Sequence, residues 1–157
     1  MKLDYLKFHD MIVKRIAALE FEREKPLIPG KYCKRYEGEF DSFTLPEEYN
    51  PKSVYCFVKI RNGKPAYAKS PSAKRPGMVF EVLLFIGSNT VSREDALEDV
   101  LMRVPIIHRE LQGTYLKDEN GDVLGSLLLS IDEEQFARPN HVCWASVYTL
   151  TCEKIEL

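Results

Sequence analysis

The sequence lacks most of the features by which enzymes and membrane proteins declare themselves. No apolar run approaches the ~18 residues that a membrane helix needs. Histidine is scarce: His9, His108 and His141 are the three present, and they lie far apart in the chain. The four cysteines, Cys33, Cys56, Cys143 and Cys152, form no C-x-x-C pair, which removes the usual zinc and dithiol frameworks. His141 and Cys143 share a strand parity and could form half of a zinc site, but no second half matches them. No cysteine sits at a helix start or on a signature turn beside a base, as a thiol nucleophile requires. Neither G-x-G-x-x-G nor a Walker lysine occurs, and Gly87-Ser88-Asn89 offers at most a generic anion seat ahead of a helix. The net charge is −2, so the molecule as a whole carries no strong signal for a polyanion. The run from Asp118 to Asp122 (DENGD) is acidic, but it lacks the spacing and distal glutamate of a calcium loop. These absences leave no catalytic residue, no metal and no cofactor to nominate.

What is present is core pattern. The stretch from Met78 to Leu111 organises the chain. Met78 to Ser88 (MVFEVLLFIGS) is apolar on both parities apart from Glu81, which fits a strand central in its sheet. Glu81 is expected to pair with a neighbouring Lys or Arg on the strand face, or to be buried at a subunit contact. Ser92 is a good helix N-cap with Asp95 three residues on, and Ala96, Leu97, Val100, Leu101 and Val104 form one apolar stripe. Pro105 is expected to end or kink that helix.

The remaining elements follow in order. Tyr5, Phe8, Ile12, Ile16 and Leu19 predict an amphipathic helix over 4–21. The segment 25–52 holds four prolines and five aromatics, and reads as a long packed loop or insertion with a short edge strand near Tyr32 to Tyr36. Ser53 to Ile60 predicts a strand, and Asn62-Gly63 a turn into a long basic hairpin loop over 61–77. Thr114 to Lys117 and Val123 to Ile131 predict paired strands around the DENGD turn. Asp132 to Asn140 reads as a loop, and His141 to Leu157 as the closing strand. At 157 residues the chain is expected to be one domain. Charges scattered through the first 15 residues argue against an export signal, so reduced, buried cysteines and a cytoplasmic setting are expected.

Charge is placed unevenly. From Lys59 to Arg75 there are six bases and no acid, among them Arg61, Lys64, Lys69, Lys74 and Arg75. Acids outnumber bases from Ser92 to Glu134, and Glu94, Asp95, Glu98 and Asp99 fall together on the second helix. The bland reading is a solvated loop and a solvated helix face. The sharper one makes these two stretches opposing contact patches, or turns the basic one toward DNA phosphates with Tyr67 as a stacking ring.

The order of parts resembles a known group. An amphipathic helix comes first, then VYCFVKI, a basic loop, FEVLLFIGS, the helix DALEDVLMRV running into HRELQGTYL, then LGSLLLSIDEE and the terminal WASVYTLTCEKIEL. This resembles the tail-terminator and minor tail proteins of long-tailed phages and prophages, including the family found in Mu-like prophages. The matching residues are Leu97-Glu98-Asp99-Val100, Leu111 to Leu116, Glu133-Glu134, and Trp144 to Leu150; the likeness spans about Val54 to Leu157 and the first helix. It implies an α+β fold, a mainly antiparallel mixed sheet with two helices on one face. It implies a non-enzymatic structural protein that forms a homo-oligomeric ring, commonly a hexamer, capping the tail tube and joining it to the head. The implied partners are copies of itself, the tail tube and head-completion proteins, with DNA passing through the lumen and no membrane. The implied setting is the host cytoplasm during assembly and then the virion tail. Competing readings are a head–tail connector or neck protein, a small DNA-binding α/β domain, and an enzyme with a loop-borne site in 25–52.

Overall fold

A six-stranded sheet carries both helices on one of its faces, and the chain adopts an α+β fold. The computed structural model describes residues 5–21, 25–38, 53–65, 77–89, 93–138 and 141–152. Residues 39–52 of the Pro-rich segment, and Lys69, Lys74 and Arg75 of the basic loop, lie outside these residues.

Helix α1 spans Tyr5–Ala17 and buries Phe8, Ile12 and Ile16, the i, i+4, i+8 row that the sequence pattern predicts. It ends earlier than expected. Its last turn tightens (Leu19 N–H to Ile16 O, 3.1 Å), and the chain then folds back with Leu27 N–H on Leu19 O, 2.9 Å. Strands β1 (Glu20–Phe21) and β2 (Lys25–Pro26) form the resulting short ribbon. A single 3-10 turn, Gly30–Tyr32, leads into β3, Cys33–Arg35, the predicted edge strand.

The large sheet continues with β4 (Ser53–Pro65), β5 (Met78–Asn89), β6 (Tyr115–Lys117), β7 (Val123–Arg138) and β8 (His141–Cys152), in the spatial order β3-β4-β5-β8-β7-β6. Only β3–β4 is parallel. Helix α2, Arg93–Leu111, packs on β5, β8 and β7, and α1 on β3 and β4. Both helices rest on the even-numbered side chains of β5: the Tyr5 ring meets Phe80 at 5.4 Å, and Ser88 donates to Asp99 of α2 at 3.0 Å. On the opposite face, Tyr55 and Phe57 stack at 4.6 Å, and Tyr36 covers Phe85 at 5.2 Å. Both faces of β5 are therefore buried along Val82 to Ser88, as its apolar run predicts.

Three expectations need correction in whole or in part. First, Pro105 does not end α2, one of the two outcomes expected of it: the helix runs through it to Leu111. Proline removes the N–H that would bond the Leu101 carbonyl. Leu101 and Pro105 are both exposed, while Val100, Val104, Ile107 and Leu111 keep the inner stripe buried. The orphaned carbonyl thus faces water, and packing carries the helix past the break. Second, Asn62-Gly63 is not a hairpin turn. The pair forms a bulge between Arg61 and Lys64, with Asn62 at φ 55°, and β4 continues to Pro65. Gly63 is required because a Cβ there would lie 2.5 Å from Phe80 Cε1 and 3.0 Å from the Tyr5 hydroxyl. Third, Asp132 to Arg138 belongs to β7, not to a loop. Alternation with β8 holds it, through Asp132↔Ser146 and Glu133↔Ala145.

The closest packing in the core lies where β5 passes β4. Gly87 pairs with Tyr55, and a Cβ on Gly87 would collide with the hydroxyl end of the Tyr55 ring. The Tyr55 hydroxyl is held in turn by His141 Nε2 at 2.6 Å. Replacing Gly87 by Ala should therefore lower unfolding stability by about 1–3 kcal/mol through overpacking. Urea denaturation of Gly87→Ala measures this, and an unchanged midpoint would show that Tyr55 moves away freely.

Candidate assembly surfaces

The sheet has two ends, and charge separates between them. At the Asn89 end, Ser53 pairs with Asn89 and Asn89 with His141; at the Met78 end, Pro65 pairs with Met78 and Met78 with Cys152. Helix α2 starts beside the Asn89 end, with Asp99 on Ser88. It finishes toward the Met78 end, where Gly113 N–H bonds Leu127 O. Nineteen residues of helix separate its two termini, ~28 Å at 1.5 Å per residue.

The four nominated acids all lie at the start of α2, but they do different things. Glu94, Asp95 and Glu98 are exposed. Asp99 turns inward, accepting from Ser88 and standing 3.8 Å from Arg103 Nη1. Arg103 itself donates to Leu27 O at 2.9 Å and lies against the Phe21 ring, so it ties α2 to the ribbon that follows α1. Glu94 and Glu98 have no ion-pair partner among the described residues, and their negative charge at a helix start suits the helix dipole.

Arg61 and Lys64 lie toward the other end. Arg61 donates to Glu81 at 3.0 Å, and Asn62 donates to the same oxygen at 2.7 Å. These bonds, that from Asn62 before that from Arg61, hold the Glu81 carboxyl below its ordinary range. The expected pairing of Glu81 with a neighbouring base is therefore present. It also means that the Arg61 charge is largely matched within its own copy, while Lys64 stays exposed. Lys69, Lys74 and Arg75 lie outside the described residues.

Sequence reasoning missed a polar knot that joins α2 to β7 and β8. Asp132 accepts from the Trp144 indole N–H and from Ser146 Oγ at 2.9 Å. His108 Nε2 stands 3.1 Å from Asp132 Oδ2, within ion-pair range but off the hydrogen-bond axis. His108 Nδ1 and the Tyr148 hydroxyl share a hydrogen bond. Burial, and then the Asp132 charge, push the Tyr148 hydroxyl upward, so it stays a neutral partner at ordinary pH. The available signal was the parity of β8, which places Trp144, Ser146 and Tyr148 on one face. Treating Asp132 as a loop residue hid it. The knot's chemistry is cross-linking of elements: hydrogen bonds join Asp132 to Trp144 and Ser146, and His108 to Tyr148, while His108 Nε2 has only the Asp132 charge beside it.

The cysteines behave as small core residues. All four are free and buried. Cys33 lies opposite Cys56 in the parallel register and donates to Val13 O at 3.6 Å. The hydrogen bond between the two thiols, and then burial, push Cys56 well upward. Burial alone pushes Cys152 up to about 12, and it holds Cys143 at about 12 against an opposing hydrogen bond with Tyr55. Among the described residues no group of three or more His, Cys, Asp or Glu could hold a metal ion, and no helix is long and apolar enough to cross a membrane. No family model matches the chain, and no curated protein matches its sequence.

Two measurements test this picture. The native protein should react with Ellman's reagent at none of its four cysteines at pH 8, and the unfolded chain at all four. A thiol raised in the folded state contributes stability that is complete below its ordinary value of 9.0 and is lost as pH climbs toward about 12. Unfolding stability should therefore fall above pH 9. Trp144 is the only tryptophan, so its fluorescence reads the knot directly. Asp132→Ala should shift its emission and cost about 1 kcal/mol or more, because the Trp144 and Ser146 donors lose their acceptor.

Proposed function

We propose that the chain is a non-enzymatic structural protein that joins copies of itself head to tail, as expected of the phage tail-terminator and minor tail proteins that its order of parts resembles. One observation carries the reading: exposed acids, Glu94 and Glu98, crown one end of the molecule, and Lys64, the cation of the nominated basic stretch that is exposed and without an ion-pair partner among the described residues, lies toward the other. Eight residues of β4 separate the Ser53 end from Arg61, ~26 Å of strand, so Lys64 and the acids of one copy stand apart and each can face a neighbour. A contact between unlike patches repeats around a circle or along a line, and closes into a ring where the rotation per step divides a full turn. Such a ring would cap a tail tube and offer its remaining faces to the tube and to head-completion proteins. It would assemble in the host cytoplasm and persist in the virion tail. The basic stretch beyond Lys64 would meet DNA if it lines the lumen.

Exposed charges attract over a Debye length of ~8 Å at physiological salt, so the contact should weaken as salt rises. Light scattering on a sizing column should give a mass above the 18.1 kDa of one subunit at low salt, growing with concentration and falling at moderate salt. Reversing Glu94 and Glu98 to Lys should lower it. A mass of one subunit at every concentration and salt would overturn the reading.

A further inference from the structure

Helix α2 finishes at Leu111, Gly113 turns the chain at φ 72°, and β6 follows at the sheet's edge. Between this corner and α1 the surface opens into a groove of about 690 Å³, lined by Met11, Lys14, Arg15 and Ala18 on one side and by Gly113 to Lys117 on the other. Its walls combine apolar surface from Met11, Ala18 and the exposed Tyr115 with three cations and no acid. Arg15 is already bound to Glu110 at 3.2 Å. Lys14 and Lys117 have no ion-pair partner among the described residues. The groove runs on into a second hollow of about 520 Å³, which shares Met11, Lys14 and Lys117 with it and adds Lys7, Asp10, Asp118 and Glu119. The acids line this second hollow alone.

The outer face of α2 has the complementary make-up. Glu94, Glu98, Leu101 and Met102 follow at i, i+4, i+7 and i+8 and share one side of the helix. Leu101 is 44% and Met102 50% exposed, although both are large and apolar. Two unpaired acids followed by two exposed apolar side chains match two unpaired lysines beside an apolar wall. An amphipathic helix laid in a groove is a recurring mode of recognition. The acids sit at the start of α2 and the groove opens beyond its finish, so the two surfaces of one copy face opposite ways.

We propose that the groove between α1 and β6 receives the Glu94–Met102 face of α2 from a second copy of this chain. The inference rests on the head-to-tail reading above, and it assigns the receiving surface to Lys14 and Lys117 in place of the basic stretch 61–75.

A charge swap in the full chain tests it by light scattering. Lys14→Glu with Lys117→Glu should weaken self-association by roughly tenfold or more, because like charges then face each other. Glu94→Lys with Glu98→Lys should do the same. Mixing the two double variants should restore association, since each then offers what the other lacks, and so should combining all four substitutions in one chain. All four residues are exposed or line an open groove, and circular dichroism confirms that the variants fold. If the wild type associates and Lys14→Glu/Lys117→Glu associates equally well, the groove is not the receiver and the inference fails while head-to-tail assembly stands. If Lys74→Glu with Arg75→Glu is the pair that dissociates it, the basic stretch is the receiver, with the same consequence. A wild type that never associates removes the head-to-tail reading itself.

Discussion

Strand β5 constrains everything else. It is paired along its whole length on both sides, from Met78 to Asn89, with β4 on one and β8 on the other. Its even-numbered side chains support both helices, and its odd-numbered ones meet the aromatic layer of Tyr36, Tyr55 and Phe57. A strand buried on both faces has no tolerance for register slip, since a shift of one residue would exchange its two faces. Gly87 sharpens the constraint, because the Tyr55 ring occupies the space of its missing side chain. Glu81 is the exception that the position allows. It lies near the Met78 end, where the sheet face is open enough for Arg61 and Asn62 to reach its carboxylate in contact with water.

Where one periodicity dominated, the sequence was legible. The central strand, both helices, the Asp118–Asp122 turn and the closing strand could be read because apolar spacing and turn residues agreed there. The errors fell where a local signal met a tertiary one. Pro105 reads as a stop or a kink, and α2 does not stop there because Val104, Ile107 and Leu111 bury on the inner side while the proline faces out. Asn62-Gly63 reads as a hairpin turn, yet Gly63 is demanded by the nearness of Phe80 to the strand. Asp132-Glu133-Glu134 reads as a loop because it is acidic, yet β8 supplies a full partner for it. Each miss has the same origin. Propensity is local, and a neighbouring element contributed more than the local preference.

The candidate surfaces were half legible for a related reason. Runs of like charge show in a sequence, so the acidic start of α2 and the basic stretch after β4 were visible. Which of those charges are spent internally was not. Asp99 is taken by Ser88 and Arg103, and Arg61 by Glu81. Conversely, Lys14 and Lys117 are about a hundred residues apart and form no run, so only the fold could place them on one groove. Charge clusters made by tertiary structure are invisible to composition.

The sheet's edges bear on how copies could meet. Strands β3 and β6 are each three residues long, too short to template an added strand over any length. Beyond β6, β7 is irregular in its pairing with β8 between Leu129 and Ile131 and between Glu134 and Phe136, and bulges of that kind twist a strand away from a straight partner on its other side. Gln112 adds to this, since its side-chain oxygen accepts the Leu129 N–H at 2.6 Å and fills one of the backbone positions that an incoming strand would need. Extension of the sheet from one copy to the next is thus discouraged among the described strands. Side-chain surfaces at the two ends of α2 remain, and they differ in charge. Association through them is directional, and directionality separates an assembly that grows by a repeated step from a pair that joins like to like and stops.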